Sequence, residues 1–250
     1  MTVLYAVIGG SGIYSLGDGF VLERSEKKET PFGHTSAEIQ RGRWHQHEIV
    51  FLPRHGEKHQ IPPHAINYRA NLWALQSIGV THIIAVNAVG GITANLPPLT
   101  LAIPDQIIDY TSGRAHTFFE GDQQSVEHID FTLPYSTTLR DIVITASKVA
   151  NMDLVTTGTY GCTNGPRLES AAEIRKMSHD GCNMIGMTGM PEAALARELS
   201  IEYVSIALVV NWCAGIEDSA LDMDQIRQVL AQGVDSVKRL IRGSLELARQ

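Results

Sequence analysis

Cysteine is scarce in this chain, and positive charge is in deficit. The three cysteines, Cys162, Cys182 and Cys213, are an odd number without the spacing of metal ligands, which argues against a disulfide framework or a zinc site. The 20 Lys and Arg residues stand against 27 Asp and Glu residues, for a net charge of −7, so the average surface repels nucleic-acid phosphates. We therefore expect no nucleic-acid partner, and any anionic ligand must be small and held locally.

The chain also lacks linkers and long apolar runs. No stretch rich in Pro, Ser or Gln interrupts a composition that is 44% hydrophobic and 19% charged, which is typical of one globular domain over residues 1–250. The opening MTVLYAVIGG has no positively charged segment, and its apolar run is too short to cross a bilayer. We expect a single domain, no membrane partner and a cytoplasmic location.

Strand-like and helix-like segments alternate along the chain. Residues 65–79 predict an amphipathic helix, and residues 81–91 predict a buried strand that stops at an amide, Asn87. Apolar residues at helical spacing in the closing segment, 224–248, predict a long amphipathic helix. A polar, aromatic loop at 113–135 is long enough to predict a lid or an interface. The alternation predicts an α/β fold.

Five apolar runs of the chain end in polar, distinctive residues. These ends are Gly9-Gly10-Ser11-Gly12, Arg54-His55-Gly56, Asn87-Ala88, Met187-Thr188 and Asn211-Trp212-Cys213. In open α/β sheets, ligands bind beyond the carboxyl ends of the strands. We expect these five segments to supply the residues of a ligand site.

The glycine turn that follows the first strand has three interpretations. A dinucleotide fingerprint, and with it an NAD-dependent oxidoreductase, is disfavoured because position 15 is Ser where the third glycine would stand. Consecutive N–H groups together with the Ser11 hydroxyl suit a small oxyanion. A tight turn without a ligand is the third interpretation.

Arg54 and His55 have the chemistry of a small-anion site. A guanidinium offers a planar fork that matches phosphate oxygens, and His55 adds a nearby donor. The alternative is an ordinary surface pair or a salt bridge. His59 follows His55 at the spacing of a helical zinc site, but Gly56 and Pro62-Pro63 interrupt such a helix. We expect no metal here.

Seven stretches together resemble the trimeric purine nucleoside phosphorylase and methylthioadenosine phosphorylase family over nearly the whole chain. They are IGGSGIY, TPFGHTSAEI, LPRHGEKHQIPPHAINYRANLWAL, NAVGGI, TNGPRLES, MIGMTGMPEAALARE and the strand ending in Asn211. The resemblance implies a central mixed twisted sheet flanked by helices, of nucleoside phosphorylase type, in a homotrimer. It also implies phosphorolysis, in which inorganic phosphate displaces a purine from C1′ of a nucleoside. Phosphate is then a co-substrate, and neither a cofactor nor a covalent nucleophile is needed.

The same resemblance implies a set of binding residues. Phosphate would be held by Ser11, Arg54, His55, Thr188 and the backbone at Asn87 and Ala88. Met187 would lie against the ribose, and Leu168, Trp212 and Cys213 would also bind the substrate. Such a site suits a transition state in which the sugar becomes cationic above the phosphate while negative charge builds on the departing purine.

Asn211 and Glu169 are the residues that the resemblance places at the purine. Adenine-cleaving members carry Asp and Ser at these positions, whereas members that cleave 6-oxopurines carry Asn and Glu. A 6-oxopurine presents O6 as an acceptor and N1–H as a donor, so the amide can donate to O6 or N7 and the carboxylate can accept from N1–H. The alternatives are a strand-end turn for Asn211 and a helix N-terminal acid for Glu169.

Met223 and His128 are the residues that the resemblance places near the 5′ end of the sugar. Met223 stands where methylthioadenosine phosphorylases have a small apolar residue and purine nucleoside phosphorylases have a His. A thioether suits a 5′-methylthio group, and the alternative is a core methionine at a helix start. His128, in the long loop, matches a residue that approaches the site from a neighbouring subunit.

The combination of a 6-oxopurine edge with an apolar 5′ pocket predicts 5′-methylthioinosine as the substrate. Its products would be hypoxanthine and 5-methylthioribose-1-phosphate. The alternatives are a general 6-oxopurine nucleoside phosphorylase, a methylthioadenosine phosphorylase and a catalytically silent nucleoside sensor. Because an apolar pocket rejects a hydroxyl by only about a hundredfold, we expect residual activity on inosine.

Overall fold

The computed structural model describes residues 3–120, 125–217 and 222–248. Its strands are β1 Tyr5–Gly9, β2 Phe20–Glu26, β3 Glu29–Thr30, β4 Gly33–His34, β5 Ile39–Trp44, β6 His47–Pro53, β7 His82–Gly91, β8 Leu101–Ala102, β9 Gln106–Asp109, β10 Thr159–Cys162, β11 Met184–Gly186 and β12 Glu202–Trp212. Its helices are α1 Tyr68–Ser77, α2 Thr137–Val149, α3 Ala171–His179, α4 Gly189–Glu198 and α5 Met223–Ala248, with a 3-10 helix at Pro63–Ala65. None of these helices is long and apolar enough to cross a membrane.

The central sheet is mixed, as the resemblance implies. Its order is β2-β5-β6-β1-β7-β11-β10-β9, and β12 joins it on β7 with β8 beside β12. The inner pairs β6-β1, β1-β7 and β7-β12 are parallel. The pairs β2-β5, β5-β6, β7-β11 and β8-β12 are antiparallel. The α/β fold class with a mixed central sheet is therefore confirmed.

Two apolar clusters cover the two faces of the sheet. Along β1, Ala6 and Ile8 belong to the cluster that includes α1 and α4, whereas Val7 belongs to the cluster that includes α2 and α5. Successive side chains of a strand point to opposite faces, which explains this division. The apolar stripe predicted for the closing segment packs on the second face as α5. The sheet is thus buried between two helical layers.

The strands β7 and β12 extend further than the sequence predicts. The predicted stops at Asn87 and Asn211 are wrong, because β7 continues to Gly91 and β12 to Trp212 while the two strands keep pairing. Asn211 lies opposite Gly90, although Val209 lies opposite Val89. One residue of β12 is therefore extra, which defines a β-bulge immediately before Asn211.

The start of α3 fixes the segment that carries Glu169. Ser170 is the N-cap of this helix, and its hydroxyl accepts from the Glu173 backbone N–H while the Glu173 carboxylate accepts from the Ser170 N–H. The sequence alone predicts this capping box, because Glu173 follows Ser170 by three residues at the start of a helical segment, and the structure confirms it. Glu169 immediately precedes this N-cap. The capping box therefore fixes the backbone next to Glu169.

The long loop at 113–135 has no helix or strand among the residues that the structure describes. Positions 121–124 of this loop lie outside the described residues. Its first part is anchored by Arg114, whose guanidinium is buried. The prediction that this loop forms a lid or an interface remains a prediction.

Candidate active site

A cavity of about 290 Å³ lies beyond the carboxyl ends of β1, β6 and β7 and extends along the ends of β11 and β12. Its lining includes most of the residues predicted from the sequence. These are Ser11, Arg54, His55, Ala88, Leu168, Glu169, Met187, Thr188, Asn211, Cys213 and Met223. Parallel pairing of β6, β1, β7 and β12 brings their carboxyl ends to the same edge, which is why residues distant in sequence converge here.

Arg54 is a fully buried cation in the lining of the cavity. Its Nε and Nη2 donate to the two carboxylate oxygens of Glu192 at 2.9 and 2.6 Å, and its Nη1 donates to the Val86 carbonyl at 2.7 Å. Tyr203 also donates its hydroxyl to Glu192, at 2.8 Å. A guanidinium has five N–H groups, so one N–H on each Nη remains for a ligand.

The Glu192 carboxylate keeps Arg54 charged despite its burial. Burial by itself lowers the pKa of Arg54, but the attraction and hydrogen bonds of Glu192 outweigh it and raise the pKa above the ordinary value. The turn after β1 passes close to this cation. A Cβ on Gly10 would lie 2.3 Å from the Val86 carbonyl oxygen and 3.0 Å from Arg54 Nη1, so only glycine fits there.

His55 is buried next to Arg54, and its ring is oriented by a backbone carbonyl. Its Nδ1 lies 2.9 Å from the Ile61 carbonyl oxygen, so Nδ1 carries the proton and donates. Burial, followed by the charge of Arg54, lowers the pKa of His55 to about 4. The ring is therefore neutral near pH 7, and Nε2 is an acceptor. The role of His55 as a donor to phosphate stays a prediction, and the Nδ1 proton of the neutral ring is directed at the Ile61 carbonyl.

His59 also lines the cavity, although the sequence suggested it only as a rejected zinc ligand. Its ring centroid lies 4.5 Å from that of His55, and its Nδ1 lies 3.3 Å from the Tyr14 hydroxyl. Burial lowers the pKa of His59 below its ordinary value. Within the described residues, no group of three or more His, Cys, Asp or Glu side chains is arranged to hold a metal ion.

Asn87 and Thr188 belong to a buried chain of hydrogen bonds at the wall of the cavity. Ser205 donates its hydroxyl to Asn87 Oδ1 at 2.8 Å, and Asn87 Nδ2 donates to Thr188 Oγ1 at 2.7 Å. Thr188 lines the cavity and Asn87 does not, whereas Ala88 does. Because its oxygen already accepts from Asn87, the Thr188 hydroxyl keeps its proton for a ligand. Asn87 thus supports the site from behind.

Glu169 and Asn211 lie in the lining of the same cavity and are partly buried. Glu169 Oε1 accepts from the Thr163 hydroxyl at 2.6 Å, which leaves Oε2 for a ligand. Asn211 Nδ2 donates to the Trp212 carbonyl at 2.6 Å, which leaves one N–H and Oδ1. The two side chains can therefore present one acceptor and one donor to a heterocycle.

Cys213 is buried beside this pair as a neutral thiol. Burial, followed by the charge of Glu169, raises its pKa to about 12. A thiol that stays protonated is a poor nucleophile. Cys213 therefore contributes shape and a weakly polar surface to this end of the cavity.

Three predicted residues do not line the main cavity. Asn87 is behind it, Trp212 lines a neighbouring pocket of about 100 Å³, and the exposed His128 lies in the long loop. Met223, the first residue of α5, lines the main cavity and is half exposed. Met223 therefore lies where the cavity opens to solvent.

Two supporting residues were missed by reasoning from the sequence. Glu192, in MPEAALARE, looks like an ordinary first-turn acid of a helix. Thr163, in TNGPRLES, looks like a loop residue. Glu192 has no local signal because its partner Arg54 lies 138 residues away in the chain. Thr163 precedes its partner Glu169 by 6 residues of loop, a spacing that no regular element uses.

The mixed sheet, with a buried guanidinium, hydroxyl groups, a carboxylate and an amide around one cavity beyond its parallel strand ends, defines the class of α/β nucleoside phosphorylases. The comparison with family models agrees with this class. The chain belongs to the family described as "Phosphorylase superfamily", whose model matches residues 4–246.

Individual relatives cover almost the whole chain. A Pseudomonas syringae pv. tomato protein named "Probable S-methyl-5'-thioinosine phosphorylase" is 49% identical over 95% of this chain and 96% of its own. The "6-oxopurine nucleoside phosphorylase" of Pyrococcus furiosus is 41% identical over 97% of this chain and 92% of its own. The solved structure of methylthioadenosine phosphorylase from Schistosoma mansoni in complex with adenine has a TM-score of 0.93 at 31% identity, covering 99% of this chain and 92% of that one.

Proposed function

We propose that this enzyme catalyses phosphorolysis of S-methyl-5′-thioinosine to hypoxanthine and 5-methylthioribose-1-phosphate. The observation that carries the proposal is the pair Glu169 and Asn211, an acceptor and a donor facing the same cavity as Arg54. A 6-oxopurine offers N1–H and O6 to such a pair, whereas adenine offers an acceptor and an amino donor there. Relatives with this name support the same substrate.

Phosphate would bind at the end of the cavity that holds Arg54. The two remaining guanidinium N–H groups, the Thr188 hydroxyl and the Ser11 hydroxyl can donate to its oxygens. Neutral His55 can accept a hydrogen bond through Nε2 from a protonated phosphate oxygen. Since Glu192 already balances the charge of Arg54, phosphate is held mainly by directed hydrogen bonds in a buried site.

The purine would leave with negative charge that the opposite end of the cavity stabilises. The Asn211 amide donates to O6 or N7, and this hydrogen bond strengthens as the bond to C1′ breaks. Glu169 accepts from N1–H and so selects the 6-oxo form. Phosphate beneath the sugar stabilises its developing positive charge. These residues act by positioning and electrostatics, and inorganic phosphate is the co-substrate.

The sugar would lie between Met187 and Met223. Both residues line the cavity, and thioether side chains pack well against a 5′-methylthio group. A general 6-oxopurine nucleoside phosphorylase is the second candidate, because Met223 is 50% exposed and leaves the 5′ end open in the single chain. The relatives named for 6-oxopurine nucleosides support that alternative.

We also propose that three copies of the chain assemble, with the loop that carries His128 at the interface. His128 is exposed and does not line the cavity of its own chain. An exposed His128 outside its own cavity can reach the sugar that is bound in a neighbouring copy. Sedimentation equilibrium tests the assembly, since a trimer has three times the 27.4 kDa mass of the chain, and a monomer would refute it.

A substrate panel tests the proposed reaction. The purified enzyme is given 5′-methylthioinosine, inosine, guanosine and 5′-methylthioadenosine, each with and without phosphate, and released base and sugar phosphate are measured. We expect phosphate-dependent release of hypoxanthine, with kcat/KM highest for methylthioinosine. Equal efficiency with inosine would favour the general phosphorylase, and adenine release at a comparable rate would refute the proposed base selectivity.

A further inference from the structure

Thr163 contacts the carboxylate that the proposed function assigns to the purine. Its hydroxyl donates to Glu169 Oε1 at 2.6 Å, and Thr163 itself does not line the cavity. Glu169 is on the chain segment between β10 and α3, where its side chain has three rotatable bonds. A single hydrogen bond to one oxygen removes much of that freedom and directs the other oxygen.

The backbone of Thr163 is held on both sides. Its N–H donates to the Gly186 carbonyl at 2.9 Å, and its own carbonyl accepts from Arg114 Nη2 at 3.2 Å. Thr163 is 8% exposed and directly follows β10. The hydroxyl that meets Glu169 is therefore mounted on a rigid part of the sheet and not on a free loop.

Arg114 extends this support to the sugar side of the cavity. The same Nη2 also lies within hydrogen-bond distance of the Asn164 and Met187 carbonyls, at 3.0 and 2.9 Å. Its Nη1 donates to the Tyr68 hydroxyl at 3.2 Å. A buried guanidinium thus ties the chain before Glu169 to the chain that carries Met187.

We propose that Thr163 is a positioning residue that sets the base selectivity of the enzyme through Glu169. The hydroxyl holds Oε1 so that Oε2 meets the N1–H of a 6-oxopurine. Without this hydrogen bond the carboxylate can rotate or bind water, and its discrimination against the N1 acceptor of a 6-aminopurine weakens. The inference rests on the proposed function, because it assigns Glu169 to the purine.

Thr163→Val tests the role of the hydroxyl, and Thr163→Ser is the matched control. Valine keeps the shape and the β-branch but cannot donate, whereas serine keeps the donor. The quantity measured is the ratio of kcat/KM for 5′-methylthioinosine to that for 5′-methylthioadenosine. We expect about a tenfold fall in this ratio for Thr163→Val and restoration towards the wild-type ratio for Thr163→Ser. A merely structural role would lower both efficiencies together and leave the ratio unchanged, which would overturn the inference.

A double-mutant cycle with Glu169→Ala, which removes the acceptor of the Thr163 hydroxyl, shows whether Thr163 acts through Glu169. If it does, adding Thr163→Val to Glu169→Ala changes the ratio by less than about twofold. An additional tenfold fall in the double variant would refute action through Glu169. Thermal unfolding of each variant confirms that folded proteins are compared. If Thr163→Val does not fold, Thr163→Ser serves as the test by itself. Loss of selectivity in Thr163→Ser, which retains the hydroxyl, would contradict the proposal.

The wild-type enzyme separates this inference from the proposed function. Absence of phosphate-dependent base release from any nucleoside by the wild type would refute the proposed function. Wild-type activity with the expected 6-oxo preference, together with an unchanged ratio in Thr163→Val, would refute the role of Thr163 alone.

Discussion

Asn211 lies just after the bulge of β12, and this position gives the amide its access to the cavity. The extra residue before Asn211 shifts the register against β7. A bulge bends the strand and redirects the side chain that follows it. Asn211 then lines the same cavity as Glu169, while one N–H of its side-chain amide donates to the Trp212 carbonyl.

Asn211→Asp is expected to move base preference towards 6-aminopurines. A carboxylate would face O6 acceptor to acceptor, and such a buried mismatch costs about 1–3 kcal/mol. We expect the ratio of kcat/KM for methylthioinosine to kcat/KM for methylthioadenosine to fall by about tenfold or more. Asn164→Asp is the matched control, since the Asn164 amide bonds to Ser112 outside the cavity. An unchanged ratio in Asn211→Asp would show that Asn211 does not read the base.

Glu192 orients the guanidinium of Arg54 through two hydrogen bonds. We expect Glu192→Gln to raise the KM for phosphate by at least about tenfold and to alter the KM for nucleoside much less. Breaking a buried ion pair costs about 3–5 kcal/mol because a charge is left unpaired, so Tyr203→Phe, which removes only one donor, serves as a milder variant. Steady-state kinetics with each substrate varied in turn is the measurement.

The exposed pair Arg41 and Glu48 provides the control for Glu192. It is also an arginine–glutamate ion pair, with Arg41 Nη2 and Glu48 Oε1 2.5 Å apart. On the surface, such a pair contributes about 0–1 kcal/mol to stability. Glu48→Gln should leave both KM values unchanged. Equal shifts of the phosphate and nucleoside KM values in Glu192→Gln would mean that Glu192 supports the fold and not the orientation of Arg54.

At the scale of elements, the two ends of α5 have different roles. Its first residue, Met223, lines the cavity, and its later turns pack on β12 and α2. The helix therefore couples the mouth of the site to one apolar face of the sheet.

Met223→His is expected to raise the efficiency with inosine relative to methylthioinosine. An imidazole can hydrogen-bond a 5′-hydroxyl, and it packs less well than a thioether against a methylthio group. A shift of about tenfold in the ratio of kcat/KM values is expected. Met223→Leu keeps the site apolar and should change the ratio little. The same ratio in both variants would assign Met223 to packing alone.

Two glycines of α5 should respond oppositely to alanine. A Cβ on Gly233 would lie 2.5 Å from the buried side chain of Leu208, whereas one on Gly243 would meet Ala146 at an ordinary 3.6 Å. Overpacking costs about 1–3 kcal/mol, and replacing glycine in a helix gains up to about 1 kcal/mol. We expect Gly233→Ala to destabilise and Gly243→Ala to stabilise in urea unfolding. Stabilisation by both would mean that Leu208 has room to move.

At the scale of the whole molecule, the buried His55 makes stability depend on pH. The pKa of His55 falls from its ordinary 6.5 to about 4 on folding, so the unfolded chain binds more protons between these values. The stability that this difference contributes is complete above about pH 6.5 and is lost as pH falls towards 4. It amounts to about 3 kcal/mol. Burial lowers the pKa of His59 and His82 in the same direction.

Urea unfolding at pH 7.5 and pH 4.5 tests this dependence. Wild-type protein should lose more free energy of unfolding between the two values than His55→Asn does, by about 3 kcal/mol. Protonation of carboxylates affects both proteins alike, so the difference between them isolates His55. Equal losses in the two proteins would contradict the lowered pKa.

The sequence predicted the elements of the fold better than their ends. Continuous apolar runs marked β7 and β12, but the predicted stops at Asn87 and Asn211 were wrong because strand pairing continues beyond them. The capping box at Ser170 and Glu173 was predicted correctly, because both partners lie within one turn of a helix. Signals confined to a few residues were thus sufficient only where the interaction itself is local.

The sequence by itself determined the α/β alternation, the amphipathic stripe of α5 and the polar residues that follow each buried strand, because these depend on local periodicity. Only the tertiary structure decided that Asn87 supports Thr188 from behind, that Arg54 is bound by Glu192 and that Thr163 holds Glu169. The partners of the first two interactions lie 101 and 138 residues apart in the chain. Which polar groups meet, and which face the cavity, depends on strand register and helix packing, and no local pattern specifies either.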